Sequence, residues 1–296
     1  MKKLFEGVGV AIVTPFLNGK IDFDSLGQLL DRCIHNGADA IIALGTTGEG
    51  STVDMSERKK IIEFCKTRIA RRAKLIIGTG NNNFKSALKF TKMAKNLGAD
   101  GALVVTPYYN KTTQDGLIKY YDLLSKLQFP IIMYNVPSRT GLNIELDTIE
   151  KIIETNPYIY GIKESTSDIN RIMKLHNICK DKIAIYSGED HLNHIFYFLG
   201  ASGCISVTAN ILTREVKDVY RTSRLHDNIR ANEIQSSIQP INESLFIETN
   251  PIPIKNLLYQ KNLIHSPEVR LPLVDLSTKN QPTIDYIANK LDLLTK

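Results

Sequence analysis

Short apolar runs recur along the chain, and glycine, proline or small polar residues end all of them but one, which ends on Lys163. They fall at residues 8–13, 40–44, 75–77, 102–105, 131–134, 159–162, 183–186 and 204–207. Such runs, continuous rather than flanked by a polar face, read as strands buried on both sides. Amphipathic stretches separate them. Asp22 can cap a helix over 22–36 with Gly37 as its stop, and Asp54 with Glu57 has the spacing of a capping box. Further helices are predicted over 84–97, 114–127 and 145–155. Several units open alike after a helix stop, as Gly37-Ala38-Asp39, Gly98-Ala99-Asp100 and Gly200-Ala201-Ser202 do.

Eight strand–helix units at roughly 20–35 residues each predict a (β/α)8 TIM barrel in the α/β class. The competing doubly wound sheet would carry a Gly-x-Gly-x-x-Gly turn after its first strand, which is absent here. The barrel is expected over residues 1–225. Residues 226–296 are expected to form a C-terminal helical domain, with helices over 232–246, 255–263 and 283–294. That tail would pack on the barrel or on a neighbouring subunit.

Composition changes this picture little. Of the 296 residues, 43% are hydrophobic and 23% charged, and no apolar run approaches the ~20 residues of a membrane span. Gly7 interrupts the N-terminus before a signal-peptide core could form, so a cytoplasmic protein is expected. Cys33, Cys65, Cys179 and Cys204 are too scattered for a metal knuckle and read as reduced, partly buried thiols. His191 and His194 lack completing ligands and read as a helix-surface pair, so no metal is expected. The net charge of +6 raises the question of nucleic acid. Its densest cluster, Arg68, Arg71, Arg72 and Lys74, complements a helix C-terminus and comes with no nucleic-acid-binding motif.

In barrels of this type the chemistry gathers at the C-terminal ends of the strands. Those ends carry Thr46, Thr47, Tyr109, Tyr134, Arg139, Lys163, Gly188 and Ile205. Taken singly, each has an ordinary reading. Residues 45–50, Gly-Thr-Thr-Gly-Glu-Gly, could be a tight turn or a carboxylate cradle of N–H groups and hydroxyls. Tyr108 and Tyr109 could be packing aromatics, and Arg139 a loop charge. Lys163 could snorkel from a strand end. A lysine at the mouth of a buried strand is also poorly hydrated, which favours the free amine that a Schiff-base nucleophile needs. Together, one amine, two phenols, two hydroxyls and a guanidinium suit imine chemistry on a small keto acid, with no cofactor.

Residues 45–49, 106–110, 134–141, 161–164, 187–190 and 205–210 carry a specific resemblance, extended by 250–255 and Arg270-Leu271-Pro272. In order and over nearly the whole chain, they resemble the dihydrodipicolinate synthase family of pyruvate-dependent class I aldolases. The resemblance implies a lyase on the diaminopimelate route to lysine. It would condense pyruvate, held as a Schiff base on Lys163, with L-aspartate 4-semialdehyde. Tyr134 would shuttle protons, and Thr47 and Tyr109 would complete a hydroxyl relay, Tyr109 reaching in from a partner subunit. Thr46 and Thr47 would hold the pyruvate carboxylate, Arg139 would meet the semialdehyde's carboxylate, and Gly188 and Ile205 would shape the pocket. A homotetramer built as a dimer of dimers is implied.

Sibling aldolases acting on N-acetylneuraminate or 2-keto-3-deoxy sugar acids share the lysine and tyrosine. Arg139 and the Thr46-Thr47 pair favour the synthase. The retained Lys163 and Tyr134 argue against a non-catalytic binding barrel. Relatives inhibited by lysine bind it in an interface cleft, of which Asn82 and Tyr108 remain here. Met55, Arg58 and Ser86 replace its usual polar wall, so weak or absent lysine inhibition is expected.

Overall fold

The strands are rich in isoleucine, valine and alanine, and alternate side chains point to opposite faces of the sheet they build. In the computed structural model, which describes residues 1–294, those strands are β1 (Gly7–Ala11), β2 (Ala40–Ala43), β3 (Lys74–Gly78) and β4 (Gly101–Val105). They continue with β5 (Ile131–Asn135), β6 (Ile159–Glu164), β7 (Ala184–Ser187) and β8 (Gly203–Ser206). All pair in parallel with their sequence neighbours, and β1 pairs with both β2 and β8, closing the barrel. The eight-unit expectation holds.

Helices α1 (Phe23–His35), α2 (Met55–Ile69), α3 (Phe84–Asn96) and α4 (Gln114–Ser125) cover the outside of the first half. After β5 come a single turn, α5 (Pro137–Thr140), and then α6 (Leu146–Thr155). The ring is completed by α7 (Ile169–Cys179), α8 (Asn193–Phe198) and α9 (Thr213–Arg224). Both predicted caps form: Asp22 accepts from the Ser25 N–H, and Asp54 with Glu57 makes a reciprocal capping box. The tail supplies α10 (Asn228–Ser244), α11 (Ile252–Gln260) and α12 (Gln281–Leu294).

Alternation sorts the strand residues into two cores. Ile131, Met133 and Ile162 face the helices, whereas Ile132, Tyr134 and Tyr186 face the barrel axis. Phe5 closes the bottom of the barrel, its ring stacked 4.4 Å from that of Tyr186, whose hydroxyl donates to the Phe5 carbonyl at 2.8 Å. Burying a large side chain of this kind contributes roughly 1.5–3 kcal/mol.

Two local expectations need correction. The first strand stops at Ala11 instead of reaching Val13, because the Val13 N–H is taken by Asn210 Oδ1 at 3.1 Å, and a small hairpin of Phe16–Leu17 with Lys20–Ile21 follows. Arg139 sits on the helical turn α5, not in an open loop; Pro137 opens that turn and Gly141 ends it. The basic cluster at the end of α2 is a solvated face as expected, its half-exposed side chains paired at the surface, Arg68 and Arg72 with Asp31 and Lys74 with Asp100. The four thiols are fully buried and free. No described helix is long and apolar enough to cross a membrane.

Candidate active site

The position of Lys163 follows from strand parity. It lies two residues beyond Gly161, whose missing side chain leaves room for the Tyr186 ring inside the barrel, so Lys163 also points inward. Register places it beside Tyr134 on β5 and Tyr186 on β7. Its side chain is buried, with Nζ 4.5 Å from the centre of the Tyr134 ring. Among the described residues no carboxylate forms an ion pair with it. Glu164, the next residue, has the opposite parity. It points into the helix layer, where Arg171 donates to Oε2 at 2.9 and 3.2 Å and Asn135 donates to Oε1 at 2.8 Å. Burial pushes the Glu164 carboxyl upward, and Arg171 and Asn135 oppose that shift. Neighbouring acid and amine are thus segregated by a one-residue change of face.

Gly188 follows β7 and passes directly beside the lysine. A Cβ there would stand 2.7 Å from Lys163 Cε and 2.0 Å from Ser165 Oγ, so a larger residue would displace the amine's stem. Lys163 opens into a cavity of about 620 Å³, whose wall includes Thr46, Thr47, Tyr134, Arg139, Gly188 and Ile205. Seven of the eight strand-end candidates therefore meet in one chamber. The eighth, Tyr109, is 92% exposed with φ at 70° and does not line the chamber of its own chain.

The hydroxyl loop after β2 is held from a distance. Thr47 Oγ1 accepts a hydrogen bond from Asn250 Nδ2 at 3.0 Å, and Asn250 Oδ1 is buried without a partner. The loop's Glu49 is buried against Lys255 of α11 at 2.7 Å, and its other oxygen accepts from the Arg270 N–H at 2.9 Å. The tail is therefore part of the site: residues 246–250 form one wall of the chamber. Sequence reasoning missed Asn250 as a site residue. The available signal was its place at the head of the 250–255 segment, and its contact lies 203 residues away.

The reading of His191 as a helix-surface residue is also overturned. It lies on a single 3-10 turn, Asp190–Leu192, lines the chamber, and brings Nε2 within 3.2 Å of Glu189 Oε2. Burial pushes the Glu189 carboxyl upward; His191 and Lys163 act against that shift, and Asp190 adds to it. No group of three or more potential metal ligands occurs among the described residues.

A second cavity of about 300 Å³ adjoins the chamber, sharing Thr46, Tyr134 and Arg139, and is lined further out by Tyr108 and Arg58. Arg58 is 3% exposed, donates to the carbonyls of Gly50 and Gly78 at 2.5 and 3.0 Å, and lies 4.1 Å over the Phe90 ring. Burial pushes its guanidinium down to about 10. Asn82, Met55 and Ser86 do not line this cavity.

The profile of the Dihydrodipicolinate synthetase family matches residues 4–291. The chain is 41% identical over 292 residues to the 4-hydroxy-tetrahydrodipicolinate synthase of Thermodesulfovibrio yellowstonii, covering 98% of this chain and 100% of that protein. The crystal structure of dihydrodipicolinate synthase from Aquifex aeolicus superposes with a TM-score of 0.95 at 41% identity, covering 98% of this chain and 99% of that one. The chloride-inhibited enzyme of Acinetobacter baumannii, complexed with pyruvate, superposes with a TM-score of 0.93 at 40% identity and 96% and 98% coverage.

Proposed function

This chain belongs to the dihydrodipicolinate synthetase family, and from that premise we propose that it condenses pyruvate with L-aspartate 4-semialdehyde through a Schiff base on Lys163. The observation that carries the reading is the buried lysine whose amine makes no ion pair, facing Tyr134 and a chamber walled by hydroxyls. A lysine amine that no ion pair occupies is available to attack a ketone. Loss of water from the carbinolamine leaves an iminium. This withdraws electrons from the pyruvate methyl group, a C3 proton departs, and the enamine carbon adds to the aldehyde.

Tyr134, whose ring lies 4.5 Å from Lys163 Nζ, is assigned the proton transfers at the imine, and general acid–base help of this kind contributes about 10²–10⁴-fold. Thr46 and Thr47 cradle the pyruvate carboxylate, with Asn250 orienting the Thr47 hydroxyl. Arg139, at the rim of the chamber, suits the carboxylate of the incoming semialdehyde through its planar fork. Tyr109, projecting from its own chain, is assigned to the relay of a partner subunit in a homotetramer. Ring closure transfers the imine from Lys163 to the substrate's own nitrogen and frees the enzyme. No cofactor takes part in these steps.

Borohydride reduction in the presence of pyruvate tests the reading. One reduced pyruvyl group per chain is expected, mapped by peptide mass to Lys163. An adduct elsewhere, or none, overturns it.

A further inference from the structure

Two carboxylates line the chamber of Lys163 among the described residues, Glu189 and Glu248. Glu248 is committed to the tail. Its Oε1 accepts from the Ser277 N–H at 3.0 Å, the Ser277 hydroxyl at 2.5 Å and Asn280 Nδ2 at 2.8 Å. Glu189 stands beside the reactive lysine, on the turn after β7, and the side-chain partner of its carboxylate is His191 at 3.2 Å. The proposed reaction leaves one substrate charge unanswered. The semialdehyde brings an α-ammonium into a chamber already lined by Lys163 and Arg139, and an ammonium leaving water there needs an acceptor. That nitrogen must later shed a proton to become a nucleophile.

Resting on the Schiff-base reading above, we propose that Glu189 is a further catalytic residue, which receives the α-ammonium of the semialdehyde and takes its proton before ring closure. One N–H bond of the ammonium breaks and its proton passes to a Glu189 oxygen, leaving the nitrogen lone pair free. That lone pair forms the N–C2 bond, and the C2=N π electrons move onto Lys163 Nζ. A proton then shifts from the substrate nitrogen to Nζ within the resulting diamine. The C2–Nζ bond breaks, the new C2=N bond forms from the substrate lone pair, and Lys163 departs as a neutral amine. The protonated Glu189 returns its proton to solvent.

Burial supports the assignment, because a carboxyl pushed upward is a stronger base than an exposed one. His191 Nε2 lies 3.2 Å from one oxygen, Oε2, which leaves the other for the substrate.

The test compares wild type with Glu189→Gln and Glu189→Asp. Each is assayed with L-aspartate 4-semialdehyde and with succinic semialdehyde, which has the same aldehyde and carboxylate but no amine, as an inhibitor. In Glu189→Gln, borohydride trapping of pyruvate should match wild type, and kcat/KM for the amino aldehyde should fall about ten- to a hundredfold, as for a lost charge-assisted contact. Inhibition by succinic semialdehyde should stay within about twofold of wild type, since only the amine contact is lost. Glu189→Asp should recover part of the activity. Unchanged turnover in Glu189→Gln, or an equal loss of affinity for both aldehydes, overturns the assignment. Absence of a pyruvate adduct in wild type would instead overturn the Schiff-base reading.

Discussion

Lys163 and Lys255 are both buried, and the protein treats them in opposite ways. Lys255 has its charge answered by a carboxylate and an aromatic face. Glu49 Oε1 lies 2.7 Å from its Nζ, and the Phe16 ring lies 4.2 Å beneath it. Burial lowers the proton affinity of Lys255, and Glu49 opposes that shift. Lys163 has an aromatic face, a glycine and an open chamber, and its neighbouring glutamate points to the other side of the strand. One lysine is a strut that fastens the tail to the hydroxyl loop, and the other is left chemically available. Burial alone therefore does not mark a reactive lysine; an amine left out of any ion pair does.

Substitution at the two sites should separate these roles. Lys163→Arg keeps the charge but loses the nucleophile, so the borohydride adduct should disappear and turnover should fall by a factor on the order of 10⁴ or more. Its melting temperature should stay within a few degrees of wild type. Lys255→Met should leave Glu49 buried and unpaired, costing about 3–5 kcal/mol in denaturant unfolding. The double variant with Glu49→Gln should recover part of that loss. Full stability in Lys255→Met would collapse the distinction.

A smaller effect is expected at the rim. Arg139→Ala should still trap pyruvate on Lys163 but turn over the semialdehyde about ten- to a hundredfold more slowly, the worth of one charge-assisted contact. Equal rates would make Arg139 a surface charge. The smallest effect concerns the adjoining cavity, where the charge of Arg58 faces any entering ammonium. Millimolar L-lysine should change the rate by less than about twofold, because the one carboxylate lining that cavity among the described residues, Glu49, is already paired with Lys255. Submillimolar inhibition in a titration at fixed pyruvate would show that the cavity finds its counter-charge elsewhere.

Much of this was legible in the chain. Apolar runs of strand length, separated by capped helices, specify eight βα units, because local burial and capping depend on residues a few positions apart. Strand parity likewise determines that Lys163 and Gly161 share a face and that Glu164 does not. The resemblance carried by residues 45–49 and 161–164 adds the chemistry. What only the tertiary structure decided is how distant segments meet. Asn250 reaches Thr47 across 203 residues, and Lys255 reaches Glu49 across 206. His191 and His194 are ambiguous in sequence, and only the closed barrel turns His191 and Glu189 toward the lysine. Periodicity encodes which face a residue takes. It does not encode which of many equally buried groups lies opposite, since that depends on how the barrel closes and where the tail returns across its mouth.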